Sequence, residues 1–135
     1  MATEQTWRAW AMTVADKHNI NLHTVYFFDE DPFASKMALR LGRGALGRFD
    51  YQTRIMHLKR GRGDTEITET IFHELTHAIR GPRGKGERQV HTAAFYETMF
   101  NLVLDELGRR LGQPLINEAC KFPRARMVAK QMGLI

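Results

Sequence analysis

Apolar residues near the N-terminus recur with the spacing of an α-helix. Between residues 4 and 18 they fall three, four or seven positions apart, which places them on one helix face. They are Trp7, Trp10, Ala11 and Val14. This pattern predicts an amphipathic N-terminal helix. We interpret the two tryptophans as core anchors, because large aromatic side chains supply much of the buried area of a small domain.

A second helical pattern lies between Asp64 and Gly81. Its apolar residues form a wide arc: Ile67, Ile71, Phe72, Leu75, Ala78 and Ile79. Asp64 is predicted as the N-cap, and Glu66 and Glu69 are expected in the first turn, where carboxylates complement the helix dipole. Gly81 and Pro82 predict the end of the helix. The width of the arc predicts a largely buried helix.

The segments before this helix favour β-structure. Residues 22–28 are rich in β-branched and aromatic side chains and predict one strand. Residues 36–60 predict two more strands, joined by a turn near residues 42–47 or at residues 50–52. Residues 53–59 are predicted as an edge strand beside a cleft, where an extended peptide could pair with the sheet.

The C-terminal half predicts helices interrupted by glycine and proline. Residues 88–108 have helical periodicity and end at Gly108. Residues 114–121 and 124–131 predict two short helices separated by Pro123. The last of these is basic and amphipathic, and we interpret it as a cover for the core.

Length and composition indicate one domain. The chain has 135 residues, of which 43% are hydrophobic, and this is enough for a single core. We therefore predict an α+β fold over residues 1–135, with a small, three-stranded, mainly antiparallel sheet. The core is expected within residues 4–107, and residues 108–135 form a basic helical extension.

Several features bear on the location of the protein. There is no run of 18 apolar residues, so no membrane span is predicted. The first residues lack the basic and apolar regions of a secretory signal. Cys120 is the only cysteine, which excludes an internal disulfide and a cysteine-rich metal site. These observations favour a cytoplasmic protein, and the sequence does not indicate its oligomeric state.

Positive charge is concentrated in three segments. Residues 36–62 carry eight Lys and Arg against Asp50 alone, and residues 80–88 carry four against one acid. Residues 109–130 carry six against one. The first two segments flank the predicted buried helix. A basic rim of this kind could attract nucleic acid or acidic protein segments, or could serve only solubility.

The predicted buried helix carries an HExxH motif. His73 and His77 are one helical turn apart, so both imidazoles lie on one face and can bind the same ion. Glu74 lies next to that face, within reach of a water molecule on the ion. Two nitrogen ligands and a carboxylate base are the minimum equipment for zinc-assisted hydrolysis.

A catalytic zinc site needs a third protein ligand. The metzincin pattern is excluded, because Arg80 and Arg83 stand where it requires glycine and histidine. His91 and Glu97 remain, both on the predicted helix 88–108. They are six positions apart and point about 120° away from each other, so only one can face the metal. We favour His91, because its face is mainly apolar: Ala94, Phe95, Thr98 and Leu102.

This pattern resembles that of the SprT-like zinc metallopeptidases. In that family HExxH is followed by a variable loop and by a third histidine with an aromatic residue four positions later, as His91 and Phe95 are here. Residues 46–51 and 53–58 resemble the family's paired strands. The resemblance covers roughly residues 4–107. It implies a zincin-like, gluzincin-like core that binds Zn²⁺ and hydrolyses peptide bonds in protein substrates, including DNA-associated proteins.

In this interpretation Glu74 takes a proton from the attacking water and passes it to the leaving amine. A second oxyanion donor could be Tyr96, His57 or an arginine of residues 80–88, although a single strand histidine is more often structural. Two alternatives stay open. One is a repressor-cleaving HExxH peptidase with Glu97 as the third ligand. The other is a zinc-stabilised binding module of a DNA-bound or viral assembly, without turnover.

Overall fold

A computed structural model describes residues 4–28, 46–82 and 91–135 of the protein. Within these ranges the fold is α+β, as predicted. The elements are α1 (Glu4–Lys17), β1 (Thr24–Phe27), β2 (Gly47–Asp50), β3 (Ile55–Leu58), α2 (Asp64–Arg80), α3 (Ala93–Ala119) and α4 (Pro123–Gln131). None of these described helices combines the length and apolar character that a membrane crossing requires.

The three strands form a mixed sheet in the order β1-β3-β2. β3 runs parallel to β1, with Val25 opposite Met56, and antiparallel to β2, with Phe49 opposite Met56. The predicted mainly antiparallel sheet is therefore wrong. The reason is that β2 and β3 form a hairpin that docks on β1 through its second strand. This puts β3, predicted as the edge strand at residues 53–59, in the centre, and puts β2 beyond it.

The turn of this hairpin lies directly after Asp50, at the second of the two predicted positions. The carboxylate of Asp50 accepts hydrogen bonds from the backbone N–H groups of Gln52 (2.9 Å) and Thr53 (3.0 Å). Arg54 completes the turn in the left-handed region, at φ 61°. At the other predicted turn position, Gly47 begins β2, and residues 42–45 lie outside the described part of the chain.

Helix α2 is the structural centre of the molecule. It packs against α3, β2 and β3 and buries the predicted apolar face except for Ile79, which is 46% exposed near the end of the helix. Gly63, not Asp64, is its N-cap, and Glu69 lies in the second turn, buried, not in the first. The predicted end is confirmed: Gly81 adopts φ 79° and its N–H donates to the carbonyl oxygen of His77. The partly buried Trp10 packs edge-on against Phe72 of α2, at 5.3 Å between ring centroids.

The C-terminal helices differ from the prediction in their boundaries. Helix α3 begins at Ala93 and has a break at Gly108, whose φ of 78° and ψ of 174° are not helical. Beyond the break, α3 continues to Ala119 with Pro114 inside it, so the helix predicted at residues 114–121 begins earlier. Helix α4 begins at Pro123, because the fixed φ of proline suits the first position of a helix.

Gly47 brings β2 into direct contact with α2. A Cβ atom at this position would lie 2.6 Å from Cγ2 of Thr70 and 3.3 Å from Cγ of Glu74. A side chain at this position would require Thr70 to move, and the contacts with Glu74 and the backbone of His57 would also be tight. The absence of a side chain at Gly47 therefore sets the distance between the outer strand and the HExxH helix.

Gly47→Ala is expected to destabilise the protein by about 1–3 kcal/mol, because the added methyl overpacks the strand–helix contact. Thr70→Ser removes the clashing methyl and keeps the hydroxyl, so the double variant should recover part of that loss. Urea unfolding of the wild type, both single variants and the double variant measures the coupling. Strictly additive effects would show that the contact between Gly47 and Thr70 is not tight.

Candidate metal centre

Three imidazoles converge on one point beside α2. Nε2 of His91 lies 2.9 Å from Nε2 of His73 and 3.1 Å from Nε2 of His77. His73 and His77 reach this point because they are one turn apart on the same helix face. The ligand atoms of the three residues all lie within 4.8 Å of one another, close enough to bind a single metal ion.

His91 reaches the centre from a position that the sequence did not predict. It lies two residues before α3 begins at Ala93, so the prediction that it lies on this helix is wrong. Thr92 is the N-cap, and its hydroxyl accepts a hydrogen bond from the backbone N–H of Phe95 at 3.2 Å. Glu97 is exposed on α3 and does not belong to the histidine cluster. His91 therefore meets the HExxH pair, but not from the apolar helix face on which it was predicted.

The ring of Phe95 packs against all three histidines. Its ring centroid lies 4.9 Å from that of His73, 4.7 Å from that of His77 and 5.0 Å from that of His91. Phe95 is fully buried, so its position is fixed by the core. This packing limits the rotation of all three imidazoles and holds their Nε2 atoms towards one another.

The chemistry of the donor set fits a tetrahedral metal ion. Zinc–nitrogen bonds of about 2.0–2.1 Å place neighbouring nitrogens about 3.3 Å apart. The observed separations of 2.9 and 3.1 Å are slightly shorter, so a small outward movement of the rings would accommodate an ion. Three nitrogens with no fourth protein ligand in the described cluster match an open site more closely than a closed structural one.

The electrostatic environment keeps these histidines neutral. Burial, followed by repulsion from the other imidazoles, lowers the pKa of His73 to about 3. Burial and repulsion from His91 lower the pKa of His77 to about 4, and burial lowers the pKa of His91 as well. At pH 7 all three imidazoles therefore have lone pairs available, and this is the form that binds a metal.

Tyr51 contacts the cluster from the hairpin turn. Its hydroxyl lies 3.2 Å from Nδ1 of His77. When Nε2 of His77 binds a metal, Nδ1 carries the proton, and this N–H group donates a hydrogen bond to the hydroxyl oxygen of Tyr51, which fixes the ring orientation. Tyr51 had no predicted role, because 26 residues separate it from His77 and no local spacing connects them.

Tyr51→Phe is expected to lower zinc affinity by about 10–100-fold, because it removes the hydrogen bond that orients His77. Competition with a chelating dye measures the affinity. Tyr26→Phe is the matched control, since Tyr26 lies on β1 and contacts His57, not the cluster. Equal affinities for the two variants would contradict the positioning role of Tyr51.

Glu74 is buried beside the histidines. Its exposed fraction is 4%, and within the described residues its Oε2 atom has no hydrogen-bond partner. Burial is the main cause that raises the pKa of Glu74 to about 8, repulsion from Glu69 raises it further, and Arg48 acts in the opposite direction. The side chain is thus a carboxyl group with a high proton affinity, located next to a candidate metal centre.

A second buried acid, Glu69, lies one turn before His73 on α2. Its exposed fraction is 5%, and burial is the main cause that raises its pKa to about 7. Lys121 and Arg62 lower this pKa, and Glu118 raises it. From the sequence, Glu69 was interpreted only as a dipole partner. The available signal was its position one turn before His73, on the same side of the helix as that histidine.

Glu69→Gln is expected to stabilise the metal-free protein at pH 8 by about 1–3 kcal/mol and to have little effect at pH 4.5. The pKa of Glu69 is raised from 4.5 to about 7 in the folded state, so folding binds a proton between these values. The wild type therefore loses stability as pH rises through this window, and glutamine does not. Thermal unfolding at both pH values measures the effect, with the exposed Glu97→Gln as control. A pH-independent difference would contradict the assignment.

A cleft runs past the histidines along the outer strand β2. On one side of the centre its wall consists of Arg48, Phe49 and Tyr51, in an open pocket of about 280 Å³ that also contacts all three histidines and Glu74. On the other side is a narrower pocket of about 180 Å³, which we call the inner pocket. Besides His73, Glu74 and His91, it is lined by Leu46, Gly47, Glu69, Thr70, Lys121 and Phe122.

The candidate oxyanion donors lie at different distances from this cleft. His57 is buried in the central strand, stacked on Phe28 with 5.9 Å between centroids, and lines neither cleft pocket. Tyr96 is also buried, 6.4 Å from His91 between ring centroids. Arg80 is exposed at the end of α2, and residues 83–88 lie outside the described ranges. Tyr51 lies in the wall of the cleft beside His77.

Several cations of the predicted basic rim bind within the chain. Arg54 donates to the carbonyl oxygens of Asn21 and Ala78, and Arg62 donates to the hydroxyl of Thr70. The third basic segment, residues 109–130, shows the same behaviour. Arg109 donates to Gln113 and to the carbonyl oxygen of Leu134, Lys121 donates to Glu118, and Arg126 donates to the carbonyl oxygen of Cys120. Residues 36–45 and 83–88 are outside the described part. Nucleic-acid binding by these segments stays a prediction.

Comparison with protein-family models, with curated proteins and with solved structures found no match to this chain.

Proposed function

We propose that this protein is a zinc-dependent peptidase of the HExxH class, acting on peptide bonds in protein substrates. The observation that carries the proposal is the convergence of the Nε2 atoms of His73, His77 and His91, with the buried carboxyl group of Glu74 beside them. All four side chains line the same open cleft pocket. Ligands, base and access for a substrate thus occur in one place.

His73, His77 and His91 would hold the ion. When bound, zinc acts as a Lewis acid that acidifies water and polarises a carbonyl group. Glu74 accepts a proton from the attacking water and delivers it to the leaving nitrogen. Its burial favours this role, because a desolvated carboxylate binds a proton more strongly than an exposed one. The hydroxyl of Tyr51 is assigned to orienting His77, because it lies at Nδ1, on the side of the ring turned away from the point where the Nε2 atoms converge.

Substrate would bind in extended form along β2. Among the described strands β2 pairs only with β3, and its opposite side faces the cleft pocket that contains the histidines. Backbone pairing with such an edge binds many sequences, because it uses groups that every residue has. This replaces the peptide-binding strand predicted at residues 53–59, which is central in the sheet.

The proposal includes a SprT-like identity. It is supported by the order HExxH, loop, His91 and Phe95, and by the contact of Phe95 with all three imidazoles. The repressor-cleaving alternative requires Glu97 as a ligand. The exposed position of Glu97 on α3 does not favour metal binding by this residue. The buried carboxyl group of Glu74 costs stability. A catalytic role explains why this cost is tolerated, whereas a purely structural zinc module does not need the group.

Metal analysis combined with a cleavage assay tests the proposal. We expect about one zinc per chain and hydrolysis of unfolded casein that stops with a chelator and returns with zinc. Parallel reactions with single- and double-stranded DNA test the predicted nucleic-acid partner. Stoichiometric zinc without cleavage of casein or of a DNA-bound protein would favour the non-catalytic module.

A further inference from the structure

The inner pocket contains a buried acid that the proposed mechanism does not use. Glu69 lies in its wall, and the neighbouring lining residues include two ligands and the base. Any group that enters this pocket is therefore next to the reacting bond. Assigning the pocket to a residue of the substrate rests on the proposed function.

Within the described chain, no hydrogen bond or ion pair reaches the carboxylate of Glu69. The two cations that lower its pKa, Lys121 and Arg62, make their described hydrogen bonds and ion pairs with other residues, and Nη2 of Arg62 has no hydrogen-bond partner among the described residues. Lys121 binds Glu118 at 2.9 Å, and Arg62 donates to the hydroxyl of Thr70 at 2.7 Å and pairs with Glu66 at 3.5 Å. Because Glu69 lines the pocket and its carboxylate has no partner within the described chain, the carboxylate can accept hydrogen bonds from a cation that enters the pocket. The high pKa of Glu69, caused mainly by burial, is consistent with this missing partner.

The remaining walls suit the stem of a long side chain. Leu46 and Phe122 are apolar and lie on the lining of the same pocket as Glu69. The volume of about 180 Å³ is smaller than that of pockets for drug-sized ligands, and it fits one amino-acid side chain. A methylene stem between apolar walls with a charged head on a carboxylate is the shape of lysine or arginine.

We propose that the inner pocket binds the side chain of a lysine or arginine residue adjacent to the scissile bond, with Glu69 accepting hydrogen bonds from its charged head. Glu69 is thus a specificity-determining residue. The pocket selects basic substrate segments, in addition to the sequence-tolerant pairing along β2.

A binding experiment tests this assignment without catalysis. The probes are n-butylguanidinium and its neutral isostere n-butylurea, titrated into the zinc-loaded protein, with backbone amide shifts of Thr70, His73 and Lys121 as readout. The guanidinium ion stays protonated at all accessible pH values, so it does not compete as a metal ligand. We expect n-butylguanidinium to bind at least about tenfold more tightly than n-butylurea, because only the cation pairs with the carboxylate.

Glu69→Gln should abolish this preference, and Glu97→Gln, the same change at an exposed site, should keep it. If the glutamine variant does not fold, Glu69→Asp retains the charge and should keep the direction of the preference at lower affinity. Equal binding of the two probes to the wild type, a preference that survives in Glu69→Gln, or no binding of either probe would overturn the proposal.

Cleavage-site mapping separates this inference from the proposed function. Peptides released from unfolded casein are sequenced by mass spectrometry. We expect lysine and arginine to be enriched next to the cut in the wild type and to lose this enrichment in Glu69→Gln. The readout is the fraction of cuts next to a basic residue, which does not depend on the overall rate, because Glu69 also influences the pKa of Glu74. Cleavage without any basic preference contradicts the role of Glu69. Absence of all cleavage, with the guanidinium preference intact, counts against the peptidase and not against the pocket.

Discussion

Glu74→Gln is expected to reduce peptide cleavage by at least about 1,000-fold while zinc stays bound. Glutamine has nearly the same shape as glutamate but cannot accept the proton of the attacking water. Because the histidines and Phe95 are unchanged, the ligand geometry is retained. The kcat/KM for a fluorescent casein substrate and the zinc content of the purified variant are the two measurements.

The same variant also distinguishes catalysis from folding. Burial raises the pKa of Glu74 to about 8, so an ionised carboxylate at this site lowers the stability of the metal-free folded state. Thermal unfolding of Glu74→Gln should thus show no loss of stability relative to the wild type. Glu97→Gln should keep both activity and zinc. Full activity in Glu74→Gln would show that Glu74 does not act as the base.

His77→Ala and His91→Ala are expected to lose zinc and, with it, thermal stability. A ligand lost from a set of three should weaken the affinity by more than about 100-fold, which exceeds the effect of removing an orienting neighbour. Zinc binding at 100–1,000 times its dissociation constant contributes about 3–4 kcal/mol to folding, and both variants should lose most of this. Metal content and thermal unfolding, each with and without added zinc, measure the two effects.

Glu97→Ala is the matched comparison, because Glu97 is the alternative third ligand and lies exposed on α3. It should retain zinc and unfold at the wild-type temperature. The reverse pattern, with zinc kept in His91→Ala and lost in Glu97→Ala, would identify the protein as a peptidase of the repressor-cleaving type and would require α3 to rotate. Intermediate losses in both variants would indicate that Glu97 supports the site in solution.

Local patterns predicted the helix that carries the site, and did so for a clear physical reason. The predicted apolar arc is buried from Ile67 to Ala78, its last member Ile79 is exposed, and the glycine at position 81 ends the helix. The i, i+4 spacing of His73 and His77 fixes their relative position wherever the helix is placed. Boundaries were less accurate: the N-cap is Gly63, and the expected first-turn position of Glu69 is instead a buried second-turn position.

Long-range arrangement could not be obtained from such patterns. The central position of β3 depends on where the β2–β3 hairpin docks, and strand alternation is the same for a central and an edge strand. The reason for selecting His91 was wrong, since His91 precedes α3 and its approach to His73 and His77 depends on the N-cap geometry of Thr92. Tyr51 contacts His77 from a turn 26 residues earlier in the chain. Glu69 lies on the same helix as the histidines, but the pocket that it lines is completed by Leu46, Lys121 and Phe122 from other segments.

The sequence by itself determined the chemistry available to this protein: two imidazoles and a carboxyl group on one helix, with one further histidine downstream. These follow from residue type and helical period, which are local properties of the chain. Only the tertiary structure decided that His91 completes the group, that Phe95 supports it, and that β2 forms the cleft wall. Each of these depends on how separate elements pack, and packing is governed by side-chain volume and burial over the whole core, not by any one segment.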